Sequence, residues 1–308
     1  MDTVVKIKPA IVVLAAGLAS RYGSLKQIDQ FGPSGETIID YSIYDAIKSG
    51  FQKVVFIIRK NIEEEFKEVF VEKFENQIEI DYAFQENDIV PEGIVIPKDR
   101  IKPWGTGHAV FMAANKVDGP FAVINADDFY GPVSFRLLVE HLITLLPEKL
   151  EACLIGYRLK NTLSDHGYVS RGICTVSDEL FLQKVTERTH IYKKPGGDIY
   201  YVEADKQYDL TGQELVSMNL VGFTPPFFDV LKQGFENFVQ KNAQNPKAEY
   251  YLPDAVTSLV ENYGVQIPVI ETPEMTYGVT YKEDKPIVKE MIRKMVEQGS
   301  YPKKLWEK

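Results

Sequence analysis

Short aliphatic runs separated by amphipathic stretches constrain this chain more than any other feature. Ile11 to Leu14, Val54 to Ile58, Ile78 to Ala83 and Phe121 to Ile124 each have the length and β-branched content of a strand. Helical patterns fall between and after them: Thr37 to Ile47, a stretch opened by Asn61, Thr106 to Ala114 and Ser134 to Leu145. A strand that is apolar throughout is covered on both faces, and strands alternating with helices imply βαβ crossovers. The expected class is α/β, with a mostly parallel Rossmann-like sheet and helices on both faces. Asn61 is read as a helix N-cap, with Glu64 closing a capping box.

The texture changes after Leu150. Ala152 to Leu159, Tyr168 to Ser170, Leu180 to Val185, Ile199 to Glu203 and Leu215 to Phe223 read as shorter strands, broken by turns such as Lys194 to Asp198. A mixed, β-rich second half is expected. Helices follow near Pro226 to Lys241, Leu252 to Tyr263 and Lys285 to Glu297, with a strand at Val265 to Ile270. No Pro/Gly/Ser-rich linker divides the 308 residues, so a single domain is expected.

Lys and Arg number 35 against 44 Asp and Glu, a net charge of −9. That balance argues against a protein that coats nucleic acid or an anionic membrane, so neither is expected as a partner. Any polyanionic ligand must meet a local basic site. Cys153 and Cys174 lack C-x-x-C spacing and read as buried thiols in a reducing compartment. The apolar run Ala10 to Ala16 is far shorter than a membrane span, and a cytoplasmic location is the expectation.

One loop supplies the local basic site. Leu14-Ala15-Ala16-Gly17 ends the first strand and leads into Ser20-Arg21-Tyr22-Gly23 and Lys26. Small residues there let backbone N–H groups approach phosphate oxygens, and Arg21 and Lys26 add a planar fork and a point charge. The alternative is a solvated βα loop whose glycine only relieves a turn. Neither G-x-x-x-x-G-K-[ST] nor G-x-G-x-x-G is present, which excludes a P-loop or a dinucleotide fingerprint.

The segment Leu-Ala-Ala-Gly-x-x-Ser-Arg-Tyr-Gly-x-x-Lys resembles the signature of the sugar-1-phosphate nucleotidyltransferases. The resemblance implies that the loop wraps a nucleoside triphosphate. Leu14, Ala15, Ala16 and Gly17 then lie on the nucleoside side, Arg21 faces the leaving pyrophosphate, and Lys26 meets the phosphates in transfer. The gap from Arg21 to Lys26 is shorter than in many members and closer to the molybdenum-cofactor guanylyltransferase-like branch. Trp104-Gly105-Thr106-Gly107-His108-Ala109 is similar to the Gly-Thr-Gly-His-Ala segment of the uridylyltransferases, which implies Gln85, Gly105 and Thr106 as base readers. His108 reads as a helix N-terminal residue with a satisfied ring.

Asn125-Ala126-Asp127-Asp128 ends a buried strand where an open α/β sheet holds its ligand. An Asx turn explains one of these acids, and a hard cation such as Mg²⁺ suits both. By resemblance the metal aspartate is Asp127 first, with Asp128 second. Gly167, Glu187 and Asn219 match residues that bind sugar hydroxyls, and Glu249 to Asp254 matches a helix start. Tyr277-Gly278-Val279-Thr280 matches the second metal-ligand segment with Thr280 in place of Asn, and Asp284 is the alternative.

The resemblance thus implies a nucleotide-binding half over 1–150 and an acceptor-binding half over 151–308. It further implies a Mg²⁺-dependent enzyme joining a nucleoside triphosphate, UTP first, to a sugar 1-phosphate with loss of pyrophosphate. A cytidylyltransferase acting on a phosphorylated alcohol, a glycosyltransferase and a non-catalytic nucleotide-sugar sensor are the alternatives. Oligomeric state does not follow from the sequence.

Overall fold

The computed structural model describes residues 8–17, 28–74, 76–194, 196–278, 281 and 283–306. Among them, β1 (Ala10–Leu14), β2 (Lys53–Ile58), β3 (Glu79–Phe84) and β4 (Phe121–Asn125) form a parallel sheet in the order β3-β2-β1-β4. Each strand is separated from the next in sequence by helical chain, which satisfies parallel pairing. Alternate residues of one strand feed opposite cores: Ile11 and Val13 face one layer with Val54, Phe56 and Ile58, while Ala10 and Val12 face the other with Val55 and Ile57.

The first layer is covered by α1 (Ile38–Ser49), α2 (60–74) and α4 (Pro132–Leu142). The second is covered by α3 (Thr106–Phe111), α5 (Phe227–Asn242) and α6 (Leu252–Tyr263). α2 starts as a 3₁₀ turn at Lys60 and passes through a π turn at Lys67–Val71, and Phe66, Phe70 and Phe74 are fully buried along it. Asn61 is not its N-cap. The Lys60 N–H is met instead by Glu86 Oε1 at 2.8 Å, so a carboxylate from the end of β3 does the capping. The capping interaction that does form is at α1, where Asp40 Oδ2 accepts from the Thr37 N–H and hydroxyl, both at 2.8 Å.

The second half continues the same sheet. β11 (Leu215–Phe223) runs antiparallel to β4 through Val221 to Phe223 and to β7 (Val169–Val176) through Val216 and Ser217. Along its other edge it pairs β6 (Ala152–Arg158), which pairs β12 (Val269–Thr272) in parallel. The register shifts between Ser217 and Val221, and Asn219 there has φ +61°. Asn is one of the few residues that enters this region readily. From β7 an antiparallel arm continues through β8 (Leu182–Lys193), β9 (Ile199–Glu203) and β10 (Lys206–Leu210). The sheet is parallel in its first half and mixed overall. A two-stranded pair, β5 (Asp128–Phe129) and β13 (Tyr277–Gly278), stands apart from it.

The chain ends in α7 (Asp284–Glu297) and a tail that returns over α1. Three acids near α1 hold that tail: Glu36 Oε1 accepts from the Leu305 N–H, Asp40 Oδ1 from Trp306 Nε1, and Asp45 Oδ2 from the Tyr301 hydroxyl at 2.7 Å. Burial pushes the Asp45 carboxyl well above its usual range, and the Tyr301 bond opposes the shift. Cys153 and Cys174 are both buried and free, and burial pushes each thiol up to about 12. No helix among the described residues is long and apolar enough to cross a membrane.

Tyr301→Phe strands the Asp45 carboxyl without its donor and is expected to cost about 1–3 kcal/mol. Urea unfolding checks this: the midpoint falls with the slope unchanged, and an unaltered midpoint contradicts the role given to this bond.

Candidate active site

The carboxyl ends of β1 and β4 face a cavity of about 240 Å³. Leu14, Ala16 and Gly17 form one wall, Asn125 and Asp127 another, and Gln85, Gly105, Thr106 and Glu249 the third. Leu14 and Asn125 are register partners across the β1–β4 ladder, so the two strand ends deliver their residues side by side. Ala15 does not line the cavity; it is buried beneath, its N–H bonded to Ile57 O at 2.9 Å. Arg21, Lys26 and Thr280 lie outside the described residues.

The Gly105-Thr106-Gly107 run is shaped by its contact with Tyr250. Gly105 has φ +96°, and a Cβ there would stand 2.5 Å from Tyr250 O; at Gly107 it would stand 2.7 Å from the Tyr250 ring. The Gly107 N–H donates to Tyr250 O, the Tyr250 N–H to Trp104 O, and the Leu252 N–H to Thr106 Oγ1. The motif therefore clamps the start of α6 as well as lining the cavity. Arg100 secures the approach to it, stacking 3.3 Å from the Trp104 ring centroid and donating to the carbonyls of Pro103, Asn245 and Ala248.

His108 is fully buried, with Nε2 3.1 Å from Ile89 O and Nδ1 3.4 Å from Gln85 Nε2. The carbonyl fixes Nε2 as the protonated nitrogen and leaves Nδ1 to accept from Gln85. The second Gln85 amide hydrogen goes to Gly105 O at 2.8 Å. Burial above all lowers the His108 pKa to about 4, and the nearby Arg100 charge adds to this.

At the other end of the cavity, Asn125 joins two predicted groups. Its Nδ2 donates to Asp128 Oδ2 at 2.8 Å, and its Oδ1 accepts from Asn219 Nδ2 at 3.4 Å. Asn219 thus touches the Asp pair through one intermediary. Gly167 and Glu187 do not line this cavity. Gly167 packs against Tyr281, whose ring a Cβ would overlap at 2.4 Å, and Glu187 stands exposed on β8 opposite Gly172. Surrounding protein and the Asp254 charge push the Glu187 carboxyl up, while Arg171 pulls it down. Asp284 lies in a different cavity, its oxygens taken by the Ser164 hydroxyl and the Tyr281 N–H. It does not line the cavity that holds Asp127. Asn125 and Glu249 line the site although the sequence, which places them in the Asn125–Asp128 and Glu249–Asp254 motifs, assigns neither a role there. The signal for Asn125 was its place at the last position of β4, and for Glu249 its place just before α6.

The family model for nucleotidyl transferases matches residues 11–248. The chain belongs to that family. As a member it is a nucleotidyltransferase, and its fold is similar to those of solved structures that include the following. An inositol-1-phosphate CTP transferase from T. maritima aligns with TM-score 0.61 at 11% identity, covering 94% of this chain and 97% of that one. A UDP-glucose pyrophosphorylase complexed with UDP-glucose aligns at 0.59 and 14%, covering 94% and 99%. A putative glucose-1-phosphate thymidylyltransferase from Bacillus anthracis aligns at 0.61 and 13%, covering 92% and 95%. No curated protein matches the sequence.

Two outcomes test this geometry. Gly105→Ala must strain a positive φ and displace Tyr250, so it is expected to lose about 1–3 kcal/mol of stability and weaken nucleotide binding together. Equal binding by calorimetry contradicts the clamp. For His108 the folded pKa lies below the unfolded value of 6.5, so its contribution is complete above pH 6.5 and is lost as pH falls toward 4. The loss is on the order of 3 kcal/mol. The His108 ring resonances should stay unshifted from pH 8 to about 5.5, and a midpoint near 6.5 contradicts the burial argument.

Proposed function

We propose that this nucleotidyltransferase joins UTP to a sugar 1-phosphate, releasing pyrophosphate and forming a nucleotide sugar. The observation that carries this reading is the single cavity that puts the start of the glycine loop, the Gln85 amide and Asp127 around one space. The hydrogen-bonded path from Asp128 through Asn125 to Asn219 supports an acceptor lying beyond it, toward Glu187. Residues 1–150 then bind nucleotide and 151–308 the acceptor.

Base choice follows from the Gln85 amide. Both its hydrogens are spent, on Gly105 O and His108 Nδ1, so its Oε1 is left as an acceptor. An acceptor there suits the N3–H of uracil or thymine, whereas cytosine presents a lone pair at N3. Gly105 and Thr106 complete that edge.

The acceptor phosphate attacks the α-phosphorus and is already anionic near neutral pH, so the protein need only align it and neutralise charge. Arg21 and Lys26 of the loop are assigned that task. Among the described residues no group of three or more His, Cys, Asp or Glu could hold a metal. Mg²⁺ does not require one: it is content with one or two carboxylates, here Asp127 and then Asp128, plus phosphate oxygens and water. Bound there, it would offset charge on the triphosphate. Thr280 is the further oxygen donor in this scheme.

Pyrophosphate release is measured from UTP, CTP, GTP, ATP and dTTP, each with pooled sugar 1-phosphates and inositol 1-phosphate. UTP with one sugar phosphate is the expected pair; dTTP in its place would keep the base argument and overturn the choice of UTP. CTP with inositol 1-phosphate would replace it by the cytidylyl reading, and silence across the panel would favour a glycosyltransferase or a sensor. Asp127→Asn is expected to lower kcat by about 10²-fold or more while metal-free nucleotide binding persists. Unchanged turnover removes Asp127 from the metal site.

A further inference from the structure

A second cavity, of about 190 Å³, opens between the Leu159–Thr162 turn, β7, β8 and α7. It is larger than the roughly 30 Å³ share of one water, so a larger guest fits. Two of its lining residues hold buried polar atoms with no hydrogen-bond partner: Thr276 Oγ1, on a residue 4% exposed, and Arg171 Nε. The Arg171 guanidinium is held through its two terminal nitrogens, Nη1 donating to Ser170 O and Nη2 to Thr162 O. Nε is thus a donor held in place without an acceptor.

Charge around the cavity points the same way. Lys160 and Lys193 stand at the rim and Arg171 lines the wall, against Asp165 and Asp284. Asp165 is paired with Lys193 at 2.7 Å, and both Asp284 oxygens already accept bonds, from the Ser164 hydroxyl and the Tyr281 N–H. Counted as formal charges, Lys160 and Arg171 against Asp284 leave one net positive charge beside the unused Arg171 Nε and Thr276 hydroxyl, in a protein whose net charge is −9.

We infer that this cavity binds an oxyanion, the phosphate or carboxylate of a small metabolite, on Thr276 Oγ1 and Arg171 Nε with Lys160 closing the rim. The charge of Arg171 also acts on Asp128 and Glu187. An anion seated on it therefore alters the field at the catalytic pair and along the path to the acceptor. The same chemistry can come from a second anionic group on the acceptor or from a separate effector.

Inorganic phosphate is the probe, titrated calorimetrically into the full-length protein and two variants. Thr276→Val keeps the shape and removes the hydroxyl; Lys160→Met with Lys193→Met removes the rim charge. One phosphate site is expected in the wild type and at least about ten-fold weaker binding in both variants, each checked for an unchanged circular dichroism spectrum. Phosphate affinity equal in all three proteins overturns the proposal, as does an absence of binding. Because no turnover is needed, this result is independent of the nucleotidyl-transfer assay. In that assay, phosphate competing with the acceptor identifies the acceptor's own second group, and a changed rate at saturating acceptor identifies a separate effector.

Discussion

The turn of β11 at Asn219 is the constraint on which the arrangement depends. A straight β11 could pair β4 or β7 along its length but not both. By entering the left-handed region at one residue, the strand leaves β7 and joins β4 while β6 follows its other edge. The fork opens at the carboxyl end of β4, beside the place where a parallel α/β sheet presents its ligands. The residue that makes the fork also reaches across it, since Asn219 Nδ2 meets Asn125 and Asn125 meets Asp128. Fold geometry and site geometry share one side chain.

A second constraint acts from the far side of the molecule. Glu36, Asp40 and Asp45 are buried, which is costly for acids unless each finds donors. The tail supplies one donor to each, from Leu305, Trp306 and Tyr301, while Ser34 and Thr37 supply local donors to Glu36 and Asp40 and Lys73 adds its charge to Asp40. The tail therefore completes the shell around α1, and α1 follows directly from the chain that leaves the glycine loop.

Much of the fold was legible because the central strands are apolar on both faces. β1, β2, β4 and β11 stood out as aliphatic runs, and α6 matched its expected span. The exposed arm was not legible in this way: β8 extends to Lys193 with half of its side chains exposed, and β10 reads Lys-Gln-Tyr-Asp-Leu with little apolar content. Those strands are set by pairing with neighbours, a non-local condition. Asn61 misled for a related reason. Local capping chemistry favoured it, and a carboxylate brought from Glu86 by tertiary structure took the role. At the site, the glycines of Gly105-Thr106-Gly107 were legible as a motif, but their steric cause, the Tyr250 backbone and ring, lies far along the chain. Asn125 was legible as part of its motif, but its role as the link between Asp128 and Asn219 depends on β11, far along the chain.

The central claim is that the fork brings a nucleotide's α-phosphate to an anionic acceptor, so the fate of each phosphate tests it most directly. UTP labelled at the α-phosphate, and separately at the γ-phosphate, is turned over with the acceptor found in the panel. The account predicts that α label appears in a nucleotide-sugar product and γ label only in pyrophosphate. Label from the γ-phosphate in the acceptor, or α label released as free UMP or UDP, would contradict it.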